Sequence, residues 1–347
     1  MEEKTFTPDD VGIDNGTYFG LPFEAEAAEL VLISAPWDVT VSYGAGAAYA
    51  PDAIIEASTQ LDFCDPLAPQ AWRRGIATAD IDYSLQEESQ RLRVDAVKVI
   101  DHLEGGGTLE DDYVVRKIRR VNEGCVAMNA NIEAQASHWL DRGKKVGLVG
   151  GDHSTPYGLI CALGRHYESF GVLHIDAHCD LRDSYEGFEF SHASIFFNVL
   201  RDVPQVTRIA QVAVRDFSEA EAALAASSER IVTFDDLSLA AAEFSGQTWD
   251  AQCQRIAASL PTEVYISFDI DGLTFENCPH TGTPVSGGLT FNKAIWLIHT
   301  LVATHHRIIG FDVVEVSPVA DDHIDAITGA RVLWKLCGQL LQSNTKN

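Results

Sequence analysis

The stretch LHIDAHCD, Leu173 to Asp180, decides how this chain is read. It opens as an apolar strand and closes with Asp176, His178 and Asp180, each two residues from the next. Side chains two apart on a strand share a face. The three can therefore converge on an extended backbone, with Ala177 and Cys179 facing the other way. Similar apolar runs recur along the chain: ELVLISAP (29–36), KVGLVG (145–150), GVLHIDA (171–177), TRIAQVAV (207–214), RIVTF (230–234), EVYISFDID (263–271) and RIIGFDVVEV (307–316). Each reads as a buried strand. Between them, PDAIIEASTQL begins with Pro and has helical periodicity, and 112–142 is strongly helical, ending at Gly143. Near-continuous apolar strands separated by helices predict an α/β fold, a three-layer sandwich around a mainly parallel sheet. No repeat or linker interrupts the pattern, so 29–347 reads as one domain behind an irregular arm over 1–28.

In open parallel sheets, ligand sites lie beyond the carboxyl ends of the strands. Four of the predicted strands carry acids or histidines there. GGDHS supplies Asp152 and His153, DAHCD supplies Asp176, His178 and Asp180, SFDID supplies Asp269 and Asp271, and FDVVEVSP supplies Asp312 and Glu315. Taken alone, GGDHS is also a strand-to-helix turn capped by Asp152 or Ser154. Two histidines and four aspartates in one pocket, left uncompensated, would be costly. Two divalent cations offset four carboxylates, and imidazole with carboxylate and no thiolate suits manganese better than zinc.

Composition bounds the partners. The 347 residues hold 51 Asp plus Glu against 25 Lys plus Arg, a formal net charge of −26. Such a chain repels nucleic acid and anionic membranes and attracts small cations and cationic substrates. Seven cysteines, an odd number with no C-x-x-C pair, argue against a disulfide framework and for a reducing compartment. The opening MEEKTFTPDD has no apolar core, and no run approaches the roughly 18 apolar residues of a membrane span. A cytoplasmic protein is expected.

The blocks GGDHS, DAHCD, SFDIDGLTFENCPHTGTPVSGGL and GFDVVEVSP resemble, in order, signature blocks of the ureohydrolases, the arginase and agmatinase family. The similarity runs from about residue 30 to the C-terminus. It implies the arginase-like fold, two manganese ions per subunit, and a trimer or hexamer. Residue by residue, it implies that His153 and Asp180 bind the first ion and His178 and Asp271 the second, with Asp176 and Asp269 bridging. The implied chemistry is hydroxide attack on a guanidinium carbon, with Asp180 passing the proton to the leaving amine. Glu315 then holds the guanidinium and His192 shuttles protons near its ordinary pKa. Thr281 and Thr283 shape the pocket through hydrogen bonds.

Several positions depart from the family pattern. Thr274 stands where a third Asp is usual, and Ile55 where an Arg is frequent. His280 precedes the TGTP block, where it is expected to line the pocket mouth. The loop after Asp180, LRDSYEGFEFSHAS, is expected to read the substrate tail. Arg182 there suits a carboxylate, whereas Asp183, Glu186 and Glu189 suit an amine. The loop most resembles agmatinase-like sequences, so agmatine is the first expectation, giving putrescine and urea. Arginine or another guanidino acid stays open as substrate. A non-catalytic metal-binding paralogue and a one-zinc deacetylase-type hydrolase are the readings from other classes.

Overall fold

The seven runs expected as strands are strands, and an eighth joins them. The computed structural model describes residues 6–345. Its strands are β1 (Leu30–Ala35), β2 (Ile76–Thr78), β3 (Lys145–Gly150), β4 (Phe170–Ile175), β5 (Val206–Val212), β6 (Ile231–Phe234), β7 (Glu263–Asp269) and β8 (Arg307–Val314). They form one sheet in the order β2-β1-β3-β8-β7-β4-β5-β6, with every pairing parallel.

Alternation along the strands divides the core in two. Leu30 and Leu32 of β1 join one apolar cluster, and Val31, Ile33 and Ala35 join the other. Helices α1 (Ala50–Ser58), α8 (Trp249–Ala257), α9 (Phe291–Ala303) and α10 (Ile324–Ser343) close the first face. Helices α2 (Tyr83–Glu104), α3 (Asp112–Leu140), α4 (Tyr157–His166) and α5 (Ile195–Asp202) close the second. The expected three-layer sandwich is therefore the observed one. The remaining helices, α6 (Glu219–Ser227) and α7 (Asp236–Phe244), start at side-chain caps: Ser218 with Glu221 in a capping box, and Asp235.

Two expectations change. Part of the arm expected over 1–28 belongs to the core: Tyr18, Phe19 and Leu21 are buried, and the Tyr18 hydroxyl lies 2.8 Å from Ser34 Oγ on β1. The first five residues of that arm lie outside the described residues. Strands β4, β7 and β8 stop at Ile175, Asp269 and Val314, short of the ends the apolar pattern suggests. The backbone turns just beyond them, with φ of 54° at Asp180 and 61° at Glu315, and a 3-10 turn spans Ile270–Gly272. Asp271 therefore sits on that turn rather than on an extended strand. Among the described residues, no helix is long and apolar enough to cross a membrane.

Candidate metal centre and cleft

The ends of β3, β4 and β7 bring together the six side chains marked as ligands. Past β3, Gly151 lets the chain pass against Trp37, since a Cβ there would fall 1.7 Å from the Trp37 carbonyl oxygen. This close approach presents His153. Its Nδ1 lies 2.9 Å from Asp176 Oδ2, 3.0 Å from Asp180 Oδ2 and 3.1 Å from Asp269 Oδ2. On the other side of Asp176, His178 Nδ1 lies 3.4 Å from Asp176 Oδ1 and 3.1 Å from Asp271 Oδ2. Asp176 thus offers one oxygen to each histidine. Asp269 does not repeat this arrangement, because its Oδ1 accepts the Asp271 N–H at 2.8 Å.

The donor set fits bound cations. One ring N–H cannot bond three carboxylates, and His153 Nδ1 is buried with no hydrogen bond of acceptable geometry. Asp271 Oδ2 is likewise buried and, beyond its ion pair with His178, has no hydrogen bond of acceptable geometry among the described residues. Burial and the neighbouring Asp271 and Asp176 push the Asp269 carboxyl well up, and burial with the Asp176 charge pushes Asp180 up to about 7. At Asp176 burial acts upward too, but His174, His153 and His178 outweigh it and hold the carboxyl well below its usual range. Against the same burial, Asp271 and Asp176 push His178 up to about 12. In the chain alone, histidine protons therefore supply the missing positive charge. Cation binding would displace them.

Other residues steady the cluster. His153 Nε2 lies 2.9 Å from Ser267 Oγ, leaving Nδ1 to face the carboxylates. His174, one turn of the strand pleat before Asp176, lies 2.7 Å from Asp176 Oδ2 through Nε2. His174 falls geometrically among the candidate ligands, but its Nε2 is already committed to Asp176. The sequence held a signal for it: 174 precedes 176 and 178 in the same alternation, inside a run read as plain core.

A cleft of about 500 Å³ opens over the cluster. Asp180, His178, His192, Arg182, Thr283 and Glu315 are among the residues lining it. Glu315 is 5% exposed; its Oε1 accepts the His153 N–H at 2.8 Å. Burial and the Asp152 charge push its carboxyl well up. No cationic side chain pairs with it among the described residues. Gly282 lets the chain pass close to Gly44 beside Glu315, since a Cβ there would fall 2.9 Å from the Gly44 carbonyl oxygen. His192 donates its backbone N–H to Thr40 Oγ1 (3.2 Å), and its Nε2 lies 3.5 Å from Ser42 Oγ. Burial, with His178, Arg93 and His153 nearby, pushes its pKa down to about 3. The near-neutral titration expected of His192 is therefore not what this wall produces; the ring is neutral at pH 7.

The tail-reading residues need correction. Thr281 does not line the cleft; its hydroxyl donates to the Glu315 carbonyl at 2.9 Å and so props the carboxylate from behind. His280 turns to α10, with Nδ1 2.8 Å from Asp325 Oδ2. Asp183, Glu186 and Glu189 are not among the lining residues. Positive φ at Glu186 and Gly187 reverses the loop, and Glu189 pairs with Arg201 at 3.0 Å. Beyond Asp180, Asp269 and Glu315, the acids that line the cleft are Asp216 and Glu221. Glu221 is saturated by the N–H groups of Leu181 and Ser218 and by the Ser218 hydroxyl. Arg182 lies over the Tyr185 ring at 4.6 Å, with Nε 3.7 Å from Glu221. Among the described residues its terminal nitrogens carry no hydrogen bond. The opposite wall, with Ser42 and Tyr43, is pinned from behind by α2, where Arg93 Nη1 donates to the carbonyls of Val39 and Val41.

A parallel sheet whose neighbouring strand ends gather histidines and aspartates beside a free carboxylate defines a class, the hydrolases built around a His–Asp cluster. A model of the Arginase family matches residues 28–338, and the chain belongs to that family. It is 29% identical over 315 residues to the agmatinase of Serratia proteamaculans, covering 89% of this chain and 86% of that protein. It is 28% identical to the N(1)-aminopropylagmatine ureohydrolase of Thermus thermophilus, covering 90% of each. Among solved structures, the agmatine ureohydrolase of Thermoplasma volcanium superposes with a TM-score of 0.68 at 22% identity, over 92% of each chain. The fold is that of arginases and agmatinases, and the chain is a hydrolase acting on guanidino groups.

Proposed function

We propose that this protein cleaves agmatine to putrescine and urea with two manganese ions bound per subunit. The observation that carries the reading is the convergence of His153, His178 and the four aspartates beside Glu315, a buried carboxylate with no cationic partner among the described residues. His153 and Asp180 would hold one ion, His178 and Asp271 the other, and Asp176 and Asp269 both. When bound, such ions supply the charge that lowers the pKa of water toward neutrality.

The chain's own residues do the rest. Glu315 fixes the guanidinium plane by a charge-assisted contact while His153 N–H holds its other oxygen. Asp180, which faces the cleft beside His153, can take a proton and deliver it to the departing amine. His192, a neutral ring in the cleft wall with Nε2 facing Ser42, can offer the substrate a hydrogen bond. Agmatinase relatives and the exposed Asp216 in the cleft wall support a cationic tail. One observation favours a second reading, a guanidino acid: the open fork of Arg182 suits a carboxylate. The assembly proposed is a trimer or hexamer, which light scattering reads directly.

The test is urea release by the manganese-loaded protein from agmatine, arginine, guanidinobutyrate, guanidinopropionate and guanidine. Turnover of agmatine above the others is expected. No urea from any of them, with two ions bound, defeats the proposal.

A further inference from the structure

Beneath the cation cluster, one row of polar side chains crosses five neighbouring strands. The registers place Thr233 of β6 beside Gln211 of β5, Gln211 beside His174 of β4, His174 beside Ser267 of β7, and Ser267 beside Asp312 of β8. Gln211, His174, Ser267 and Asp312 are each 0% exposed. Polar groups are buried at this depth only when they are hydrogen-bonded, and every one of these is. Gln211 Nε2 donates to the Cys179 carbonyl at 2.8 Å, and its Oε1 accepts from Thr233 at 3.2 Å. The Cys179 carbonyl, which can only accept, fixes which end of the amide is which. The amide nitrogen then faces His174 Nδ1 at 3.4 Å, which makes Nδ1 the acceptor and leaves the ring hydrogen on Nε2. Nε2 faces Asp176 Oδ2 at 2.7 Å. Phe196 lies on the ring, centroid to centroid 4.2 Å, and stops it rotating.

We propose that His174, locked by Gln211 as the Nε2–H donor, is a positioning residue for the Asp176 carboxylate that both cation positions share. The inference rests on the two-ion reading of the centre. Asp176 is the one carboxylate with an oxygen toward each ligand histidine, so its tilt sets both half-sites at once. The Asp176 Oδ1 side is held by the His178 N–H at 2.6 Å, and the Oδ2 side by His174. Groups that orient metal ligands in this way typically change affinity by about 10- to 100-fold when removed.

The experiment titrates Mn²⁺ into metal-free protein by calorimetry, with the exchange-coupled EPR signal of the loaded protein as second readout. His174→Leu keeps bulk under Phe196 and removes the donor. His174→Gln places an amide N–H at the same depth. A 10- to 100-fold weaker Mn²⁺ affinity and an altered coupling signal are expected in His174→Leu, with recovery of most of the affinity in His174→Gln. Should His174→Leu be insoluble, Gln211→Met leaves His174 in place and removes the lock, together with the bonds to the Cys179 carbonyl and Thr233, and a several-fold loss of affinity is expected. Wild-type affinity and coupling in a soluble His174→Leu or Gln211→Met overturn the inference while leaving the two-ion reading intact. A wild-type protein that takes up no Mn²⁺ overturns both.

Discussion

Glu315→Gln changes one atom and separates substrate recognition from metal binding. In the wild type, Glu315 Oε1 accepts the His153 N–H at 2.8 Å, which leaves Oε2 and spare lone pairs for the guanidinium. Gln has one oxygen. If that oxygen keeps His153, the NH₂ group points its hydrogens at a substrate that offers only donors. If it turns to the substrate, the NH₂ group meets the His153 N–H. Either way one donor faces another, and the countercharge is lost. Breaking one side of a buried ion pair removes about 3–5 kcal/mol. That corresponds to a fall in kcat/KM of about two to three and a half orders of magnitude. The fold should gain, because Gln replaces a buried carboxylate held far from its ordinary pKa by burial. Steady-state urea assays, metal analysis and a thermal melt read the three quantities on one preparation. The reasoning fails if kcat/KM stays within threefold of wild type, or if the metal content drops with activity.

Three further variants probe the rest of the site. Asp271→Ala removes the oxygen 3.1 Å from His178 Nδ1 and should leave about half the metal and almost no turnover; two retained ions by mass spectrometry would contradict the ligand assignment. Arg182→Ala should lower the ratio of kcat/KM for guanidinobutyrate over agmatine by about tenfold, and a rise in that ratio removes Arg182 from tail recognition. Glu186 gives a pH signature: burial first, then Glu104, pushes its carboxyl up to about 7. A raised acid is favoured protonated in the folded state, so its contribution to stability is full below the unfolded pKa near 4.5 and lost as pH rises to about 7. Glu186→Gln should therefore raise Tm at pH 8 more than at pH 5, and an equal or reversed shift refutes the assignment.

Much of the fold was legible because parallel strands buried on both faces read as unbroken apolar runs. The three-residue β2 is too short to stand out. Helix α2, 22 residues long, hides because charged residues crowd its sequence and only a narrow stripe with Leu85, Leu92, Ala96 and Val99 is buried. The meeting of these six side chains was legible because acids and histidines just past the ends of apolar strands are a local feature, although Asp271 sits on a turn rather than on an extended strand. The polar row behind them was not, since the pairing of His174 with Gln211 and Ser267 depends on register between segments far apart in the chain. The loop residues failed for another reason. The direction of Asp183, Glu186, His280 and Thr281 is set by turns whose φ values no periodicity encodes.

Asp180 and Glu315 both hold left-handed backbone, a conformation that Gly adopts freely and Asn more readily than Glu. Asp tolerates that backbone with help from its short side chain, whereas at Glu315 the side chain wanted by the chemistry sits on a backbone that suits another residue. Selection for stability alone would pull both sites toward Gly or Asn. A lineage released from the need to turn over substrate should therefore decay at these two codons early, and would become more thermostable as it did so. Glycine or asparagine at both positions in a related chain would mark a retired enzyme.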